Sequence, residues 1–299
     1  MADLPTDPRW PRAAAWIAAG TARWSGIGAP DLGLVGVGTH RTSISATSAH
    51  RTPDAVRGAL ARYSTWSESR CVELQDLWAV DLGDVVEPDG PDGEARTATL
   101  VGGWQGRLLI ALGGDNSLTY PVAVGSDAGG LVTLDAHHDL RDGISNGSPV
   151  RRLLEAGMSG SHIVQIGLAD FANSREYSSR ARDAGITLIT REQVADLGIR
   201  AVMQRALTIA SAQGMRVHVD LDVDVCDRAV VPACPAAAPG GLSAWELRQA
   251  AYLAGAHPSV VSVDLAEVDA AADSADQRTV RLVALAVLEA AAGLAGRRE

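Results

Sequence analysis

The run Gly130-Leu131-Val132-Thr133-Leu134-Asp135-Ala136-His137-His138-Asp139-Leu140-Arg141 decides how this chain is read. Its first five residues are small, apolar or β-branched, as in a strand buried on both faces. After Leu134 the sequence turns abruptly polar. If the extended conformation continues, alternate side chains share a face, so Asp135, His137 and Asp139 point the same way. Two carboxylates and an imidazole at the end of a buried strand are costly unless a positive group sits among them, and a metal ion is the simplest candidate. Val217-His218-Val219-Asp220-Leu221-Asp222-Val223-Asp224 repeats the pattern, with acids at every second position.

Runs of the same apolar kind predict strands at Leu32–Val37, Arg107–Leu112, Leu131–Leu134, His162–Ile166, Thr187–Ile189, Val217–Leu221 and Val260–Leu265. Amphipathic or alanine-rich stretches alternate with them at Pro53–Tyr63, Ser148–Ala156, Ser174–Ala184, Arg191–Leu197, Ala201–Ala212, Ala244–Ala254 and Arg278–Ala292. This alternation predicts a mostly parallel sheet with helices on both faces. No linker long enough to divide the chain interrupts it, so residues 1–299 read as one domain. Glu87–Glu94, polar and containing Pro and Gly, reads as a surface loop. In such folds ligands gather beyond the carboxyl ends of the strands, where the polar motifs fall.

Composition excludes several functions. A formal charge of −10 argues against nucleic acid or an anionic membrane as partner. All 26 basic residues are arginine, so Schiff-base and lysine-nucleophile chemistry are impossible. Cys71, Cys226 and Cys234 form no CxxC pair and no disulfide framework. Met1–Gly20 lacks a signal-peptide core, and no apolar run approaches the ~20 residues of a membrane span. The expectation is a soluble, cytoplasmic protein.

Four polar clusters follow apolar strands: Gly113-Gly114-Asp115-Asn116-Ser117, Asp135–Pro149, Asp220–Asp227 and Asp264–Asp269. Alone, a Gly-Gly-Asp turn or an acid at a strand end is more often a tight connection or a cap. Together they say more. Each like-charge pair among Asp135, Asp139, Asp222 and Asp224, if they meet, costs roughly 4 kcal/mol at about 4 Å and an effective dielectric of about 20. Two divalent cations balance four negative charges. Oxygen donors with one imidazole suit Mn²⁺, and a metal pair about 3.5–4 Å apart holds a hydroxide able to attack a trigonal carbon. His138 falls on the opposite face and reads as structural, His218 reads as a core histidine, and His40 is a weaker site candidate.

On these residues the chain resembles the ureohydrolases, the family of arginase, agmatinase and formimidoylglutamase. The motifs that carry the resemblance are Gly113-Gly114-Asp115-Asn116-Ser117, Asp135-Ala136-His137-His138-Asp139, the Asp220–Asp227 run and the late Glu267, in the family's order over nearly the whole chain. Formimidoylglutamase is the member most resembled, through Thr42-Ser43-Ile44-Ser45 with Pro53 and Arg57, Leu140-Arg141, Asn146-Gly147-Ser148-Pro149, Asp170-Phe171-Ala172-Asn173-Ser174, and Cys234-Pro235 before Pro239-Gly240-Gly241. The resemblance implies an arginase-like three-layer α/β/α fold with an eight-stranded sheet and two Mn²⁺ ions. Asp135 and Asp222 would bridge them, His137 and Asp224 would complete one site, and Asp139 and residue 116 the other. Glu267 would hold a cationic amidine or guanidine, and Asp139 is a candidate to move the proton. For substrate contacts it suggests Asn146, Ser148, Arg141, Arg151, Asp170 and Asn173; Arg175 follows a motif too. The family has histidine where this chain has Asn116, so the second ion is expected to be weak or absent. The implied reaction converts N-formimidoyl-L-glutamate to L-glutamate and formamide, a step of histidine breakdown. A guanidino hydrolase and a pseudoenzyme kept for binding or regulation are the rival readings. A ring-like homo-oligomer is also implied.

Overall fold

The computed structural model describes residues 7–297, so Met1–Thr6 of the stretch read as lacking a signal peptide lies outside the described residues. The strands are β1 (Leu32–Val37), β2 (Trp66–Ser67), β3 (Val72–Glu73), β4 (Ala79–Asp84), β5 (Leu108–Gly113), β6 (Gly130–Leu134), β7 (Ile163–Leu168), β8 (Thr187–Thr190), β9 (Val217–Asp222) and β10 (Val260–Ala266). Apart from the small β2–β3 hairpin they form one sheet in the order β4-β1-β5-β10-β9-β6-β7-β8. Every pairing in that sheet is parallel. The helices are α1 (Ala13–Arg23), α2 (Thr52–Leu60), α3 (Gly90–Gly102), α4 (Thr119–Gly125), α5 (Pro149–Glu155), α6 (Arg175–Asp183), α7 (Arg191–Leu197), α8 (Ile199–Ala210), α9 (Ala244–Ala256) and α10 (Arg278–Ala295).

Alternation along the central strands builds the expected three layers. Leu108, Ile110 and Leu112 of β5 face the core shared with α1, α2, α8, α9 and α10. Leu109 and Ala111 face α3 and α4, and Leu131 and Ile163 extend that second layer to α5 and α6. Both faces being covered is why β5, β6 and β7 read as unbroken apolar runs.

The eighth strand of the sheet, β4, was not read from the residues. It lies at the edge, and its last four residues, Asp81 to Asp84, are only partly buried or exposed, so it carries no continuous apolar signal. The loop reading of Glu87–Glu94 needs correction, since α3 starts at Gly90 with Pro91 in its first turn. Proline fits there because the first turn's N–H groups need no partner within the helix. No helix among the described residues is long and apolar enough to cross a membrane. All three cysteines are free.

The Gly113-Gly114 pair shows how tightly the strand ends are gathered. A Cβ on Gly113 would lie 2.5 Å from the Leu265 carbonyl oxygen, and one on Gly114 2.0 Å from that of Thr39. Asp115 N–H donates to that same Thr39 oxygen, and the Thr39 hydroxyl donates to the Asp115 carbonyl. Gly114→Ala is therefore expected to cost about 1–3 kcal/mol of stability in urea unfolding, because backbone has to move to admit the methyl group. An unchanged midpoint would contradict that close approach.

Candidate metal centre

Four strands deliver the site. Asp135 follows β6, Asp222 ends β9 with Asp224 in the 3₁₀ turn after it, Glu267 follows β10, and Asn116 opens the 3₁₀ turn after β5. Asp135, Asp222, Asp224, Asp139, Asn116 and Glu267 are all buried.

The segment after Leu134 does not stay extended as its alternation suggested. Asp135 Oδ1 accepts the His137 N–H at 2.6 Å, which bends the chain back, and Asp139 takes a left-handed φ of 51°. His137 nevertheless meets the acids: its Nδ1 lies 2.7 Å from Asp224 Oδ2 and 3.3 Å from Asp135 Oδ1. Ligand atoms of Asp135, His137 and Asp224 lie within 4.8 Å of one another, a grouping that could hold a metal ion. Asp224 is fixed in turn by the Ala136 N–H, and its own N–H donates to Asp222 Oδ1 at 2.8 Å. Asp135 Oδ2 is buried with no hydrogen-bond partner among the described residues. An orphaned carboxylate oxygen beside two further acids and an imidazole fits a divalent cation.

The second set is arranged differently. Asn116 Nδ2 donates to Asp139 Oδ2 at 2.7 Å, and Asn116 Oδ1 accepts the Thr119 hydroxyl at 2.6 Å. The amide thus turns N–H toward the carboxylate, and a cation there would have to reverse it. Thr119 went unnoticed in the sequence; its only signal is a hydroxyl one helical turn beyond Asn116.

Glu267, at a left-handed φ of 62°, accepts the Asn116 N–H at 2.8 Å and the Asn146 amide N–H at 2.7 Å, both on Oε1. Asn146 Oδ1 accepts the Ile44 N–H. A cavity of about 330 Å³ joins His137, Asp139, Asp222, Asp224 and Glu267 to Arg141, Asn146 and Asn173. That volume lies at the small end of ligand sites.

Other candidates have other roles. The Ser148 hydroxyl is engaged within the Ser145 turn, accepting the Ser145 N–H and donating to the Ser145 carbonyl. The Arg151 guanidinium binds the carbonyls of Arg141 and Gly143 and the Glu155 carboxylate, which closes the loop instead of reaching the cavity. Asp170 is exposed and borders a different cavity, of about 430 Å³, on the far side of Ala136 and Asp224. Asn173 braces the metal segment, accepting from His138 N–H and donating to the Ala136 carbonyl. The His138 ring is held by Gln165 and Ser178 at the edge of the cavity that Glu267 lines, and the ring of His218 is held by Ser262 and Asp264 within the core. Asp220, buried within β9, accepts from Thr133 and stands apart from the ligand group.

Burial and the charge of Asp224 raise the Asp135 carboxyl to about 7, against the lowering effect of His137. Burial, outweighing hydrogen bonds from Asn146 and Asn116, raises Glu267 to about 7. Asp139 and Asp222 are pushed well above the usual carboxylate range, by burial first and then by neighbouring acids. Burial alone would lower His137, but bonds to Asp135 and Asp224 overcome it and raise the imidazole to about 12. Without a cation, the folded state therefore holds protons that the unfolded chain would release. For the acids this stabilisation is complete below an unfolded pKa of about 4 and is lost as pH rises toward about 7; for His137 it is lost from about 6.5 upward. The chelated protein is expected to lose thermal stability between about pH 5 and pH 8, and a divalent cation to abolish that fall and release protons on binding. A melting temperature that rises with pH in chelator would overturn this electrostatic account.

The profile of the arginase family matches residues 30–293. Formimidoylglutamase of Halalkalibacterium halodurans is 36% identical over 265 residues, covering 84% of this chain and 83% of that protein. The crystal structure of formimidoylglutamase from Bacillus subtilis superposes with a TM-score of 0.91 at 28% identity, covering 100% of this chain and 96% of that one. A Trypanosoma cruzi formiminoglutamase solved with Mn2+2 gives a TM-score of 0.86 at 24% identity, covering 97% and 100%, and adds the likeness of fold. With an all-parallel eight-stranded sheet and buried acids gathered beyond its carboxyl ends, the chain belongs to the arginase family.

Proposed function

We propose that this protein hydrolyses a C–N bond of a linear amidine, N-formimidoyl-L-glutamate, to L-glutamate and formamide, with Mn²⁺ as its metal. The observation that carries the reading is Glu267, a buried carboxylate with both its hydrogen bonds on Oε1, facing the same cavity as the Asp135–His137–Asp224 group. Names of the relatives support it, since formimidoylglutamases match over most of the chain.

Asp135, His137, Asp222 and Asp224 would hold the firm ion, and Asp139 with Asn116 a weaker one. Bound Mn²⁺ supplies Lewis-acid polarisation and a water of lowered pKa. Glu267 Oε2, which accepts no bond from the described residues, receives the amidinium N–H in a charge-assisted hydrogen bond. Asp139, buried and held by Asn116, is the acid assigned to carry a proton to the departing amino nitrogen. Arg141, on the cavity wall with its stem against Gly147, is placed to meet a substrate carboxylate.

Protein reconstituted with Mn²⁺ is expected to release formamide and glutamate from formimidoylglutamate. Glu267→Gln should lower kcat/KM about 10- to 100-fold, the equivalent of one charge-assisted hydrogen bond of about 1.5–3 kcal/mol. Urea released from a guanidino compound instead would reassign the substrate, and turnover of neither class would remove the enzymatic reading. Asn116→His should raise bound Mn²⁺ from about one toward two per chain by metal analysis, because imidazole is the better donor. A drop in metal content would mean that position 116 is not a ligand position.

A further inference from the structure

Residues 39–48 are the segment that brings Ile44 and Ser45 to the cavity wall, where they stand with His137, Asp139 and Glu267. Residues 42–47 have no helix or strand, and Ile44 is 57% exposed, so burial does little to fix this wall. Polar acceptors hold it instead. Asp269 Oδ2 takes the Ser48 N–H at 2.9 Å, and Asn146 Oδ1 takes that of Ile44 at 3.0 Å. At the other end stands Asp89.

Asp89 occupies the N-cap position of α3 with suitable backbone angles, φ −77° and ψ 149°, yet its side chain caps no N–H of that helix. Its Oδ1 accepts the His40 N–H at 2.9 Å and the Arg41 N–H at 2.8 Å, while Oδ2 lies 3.2 Å from His40 Nδ1. The carboxylate is only 5% exposed. An aspartate in the cap position ordinarily stabilises its helix by accepting one of the free N–H groups of the first turn. Here it is turned onto two consecutive amides of the segment that leads to Ile44 in the cavity wall. Three residues further along the main chain, Ile44 N–H donates to Asn146, and Asn146 donates to Glu267. Asn146, whose oxygen and nitrogen are both engaged in these bonds, is a clamp between the wall and Glu267.

We propose that Asp89 is a positioning residue for the reaction. It meets no substrate; it fixes the wall and, through Ile44 and Asn146, the orientation of Glu267. The role in turnover rests on the amidine-hydrolase reading above, whereas the holding of the wall does not. Serine and asparagine separate this role from helix capping. Both are good N-caps, but only asparagine has the reach and the oxygen to accept the His40 and Arg41 amides. Asp89→Ser is expected to raise KM for formimidoylglutamate about fivefold or more with kcat changed about twofold at most, since Glu267 contributes to ground state and transition state alike. In the same variant, amide hydrogen exchange at Arg41–Ile44 should accelerate about tenfold or more. Asp89→Asn should restore both to near the unsubstituted values. A serine variant with unchanged KM and exchange would overturn the proposal, and so would equal defects in both variants. If the unsubstituted protein turns over no amidine, the functional reading fails, and the exchange measurement still decides whether Asp89 holds the wall.

Discussion

When ionised, Asp135, Asp139, Asp222, Asp224 and Glu267 repel one another from within a single buried region, and the protein has to hold them there either with protons or with a cation. Each follows or ends a sheet strand, or lies within a few residues of one, so the main chain that carries it is tied to neighbours on both sides. The apolar layers above and below the sheet supply the cohesion. Leu108–Leu112, Leu131–Leu134 and Val217–Leu221 would otherwise have little reason to bring their polar continuations so close. Among the described residues, His137 is the one cationic side chain set directly among the carboxylates, and it bonds two of them at once. The region is thus arranged around a charge deficit, which is the condition under which a metal ion binds with a large gain.

Asn116 tempers that deficit on one side. A histidine there would add a ligand, whereas the amide adds a donor that satisfies Asp139 by itself. The two halves of the centre consequently differ in what they lack. One has a bare carboxylate oxygen on Asp135, while the other is already closed by Asn116 and Thr119.

Much of this was legible in the residues, for a definite reason. Strands buried on both faces are nearly continuous apolar runs, so seven of the eight in the main sheet stood out, and the acids stood out against them. The edge strand β4 did not, because half of it faces water. Residue types also pointed to a metal, but what each polar side chain is bonded to depends on loops whose paths no periodicity encodes. Ser148 and Arg151 look like ligand contacts in a motif, but the Ser148 hydroxyl is engaged in its own turn and the Arg151 guanidinium on the carbonyls of Arg141 and Gly143. Asp170 lies two residues beyond β7 and emerges into another cavity. Asp89 lies in the stretch whose composition reads as a surface loop, and only the approach of residues 40 and 41 shows what its carboxylate holds.

Asp139 and Glu267 share a backbone conformation that L-residues rarely adopt, with φ of 51° and 62°. Such conformations cost of order 1–3 kcal/mol each and persist only where surrounding contacts over-determine them. Glycine would relieve that cost at either position while deleting the carboxyl group. Selection for heat resistance alone would thus tend to erode these two positions, whereas selection for chemistry keeps them. Libraries screened only for folding should drift toward glycine here, and consensus or thermostabilising redesign of the scaffold should leave both positions fixed.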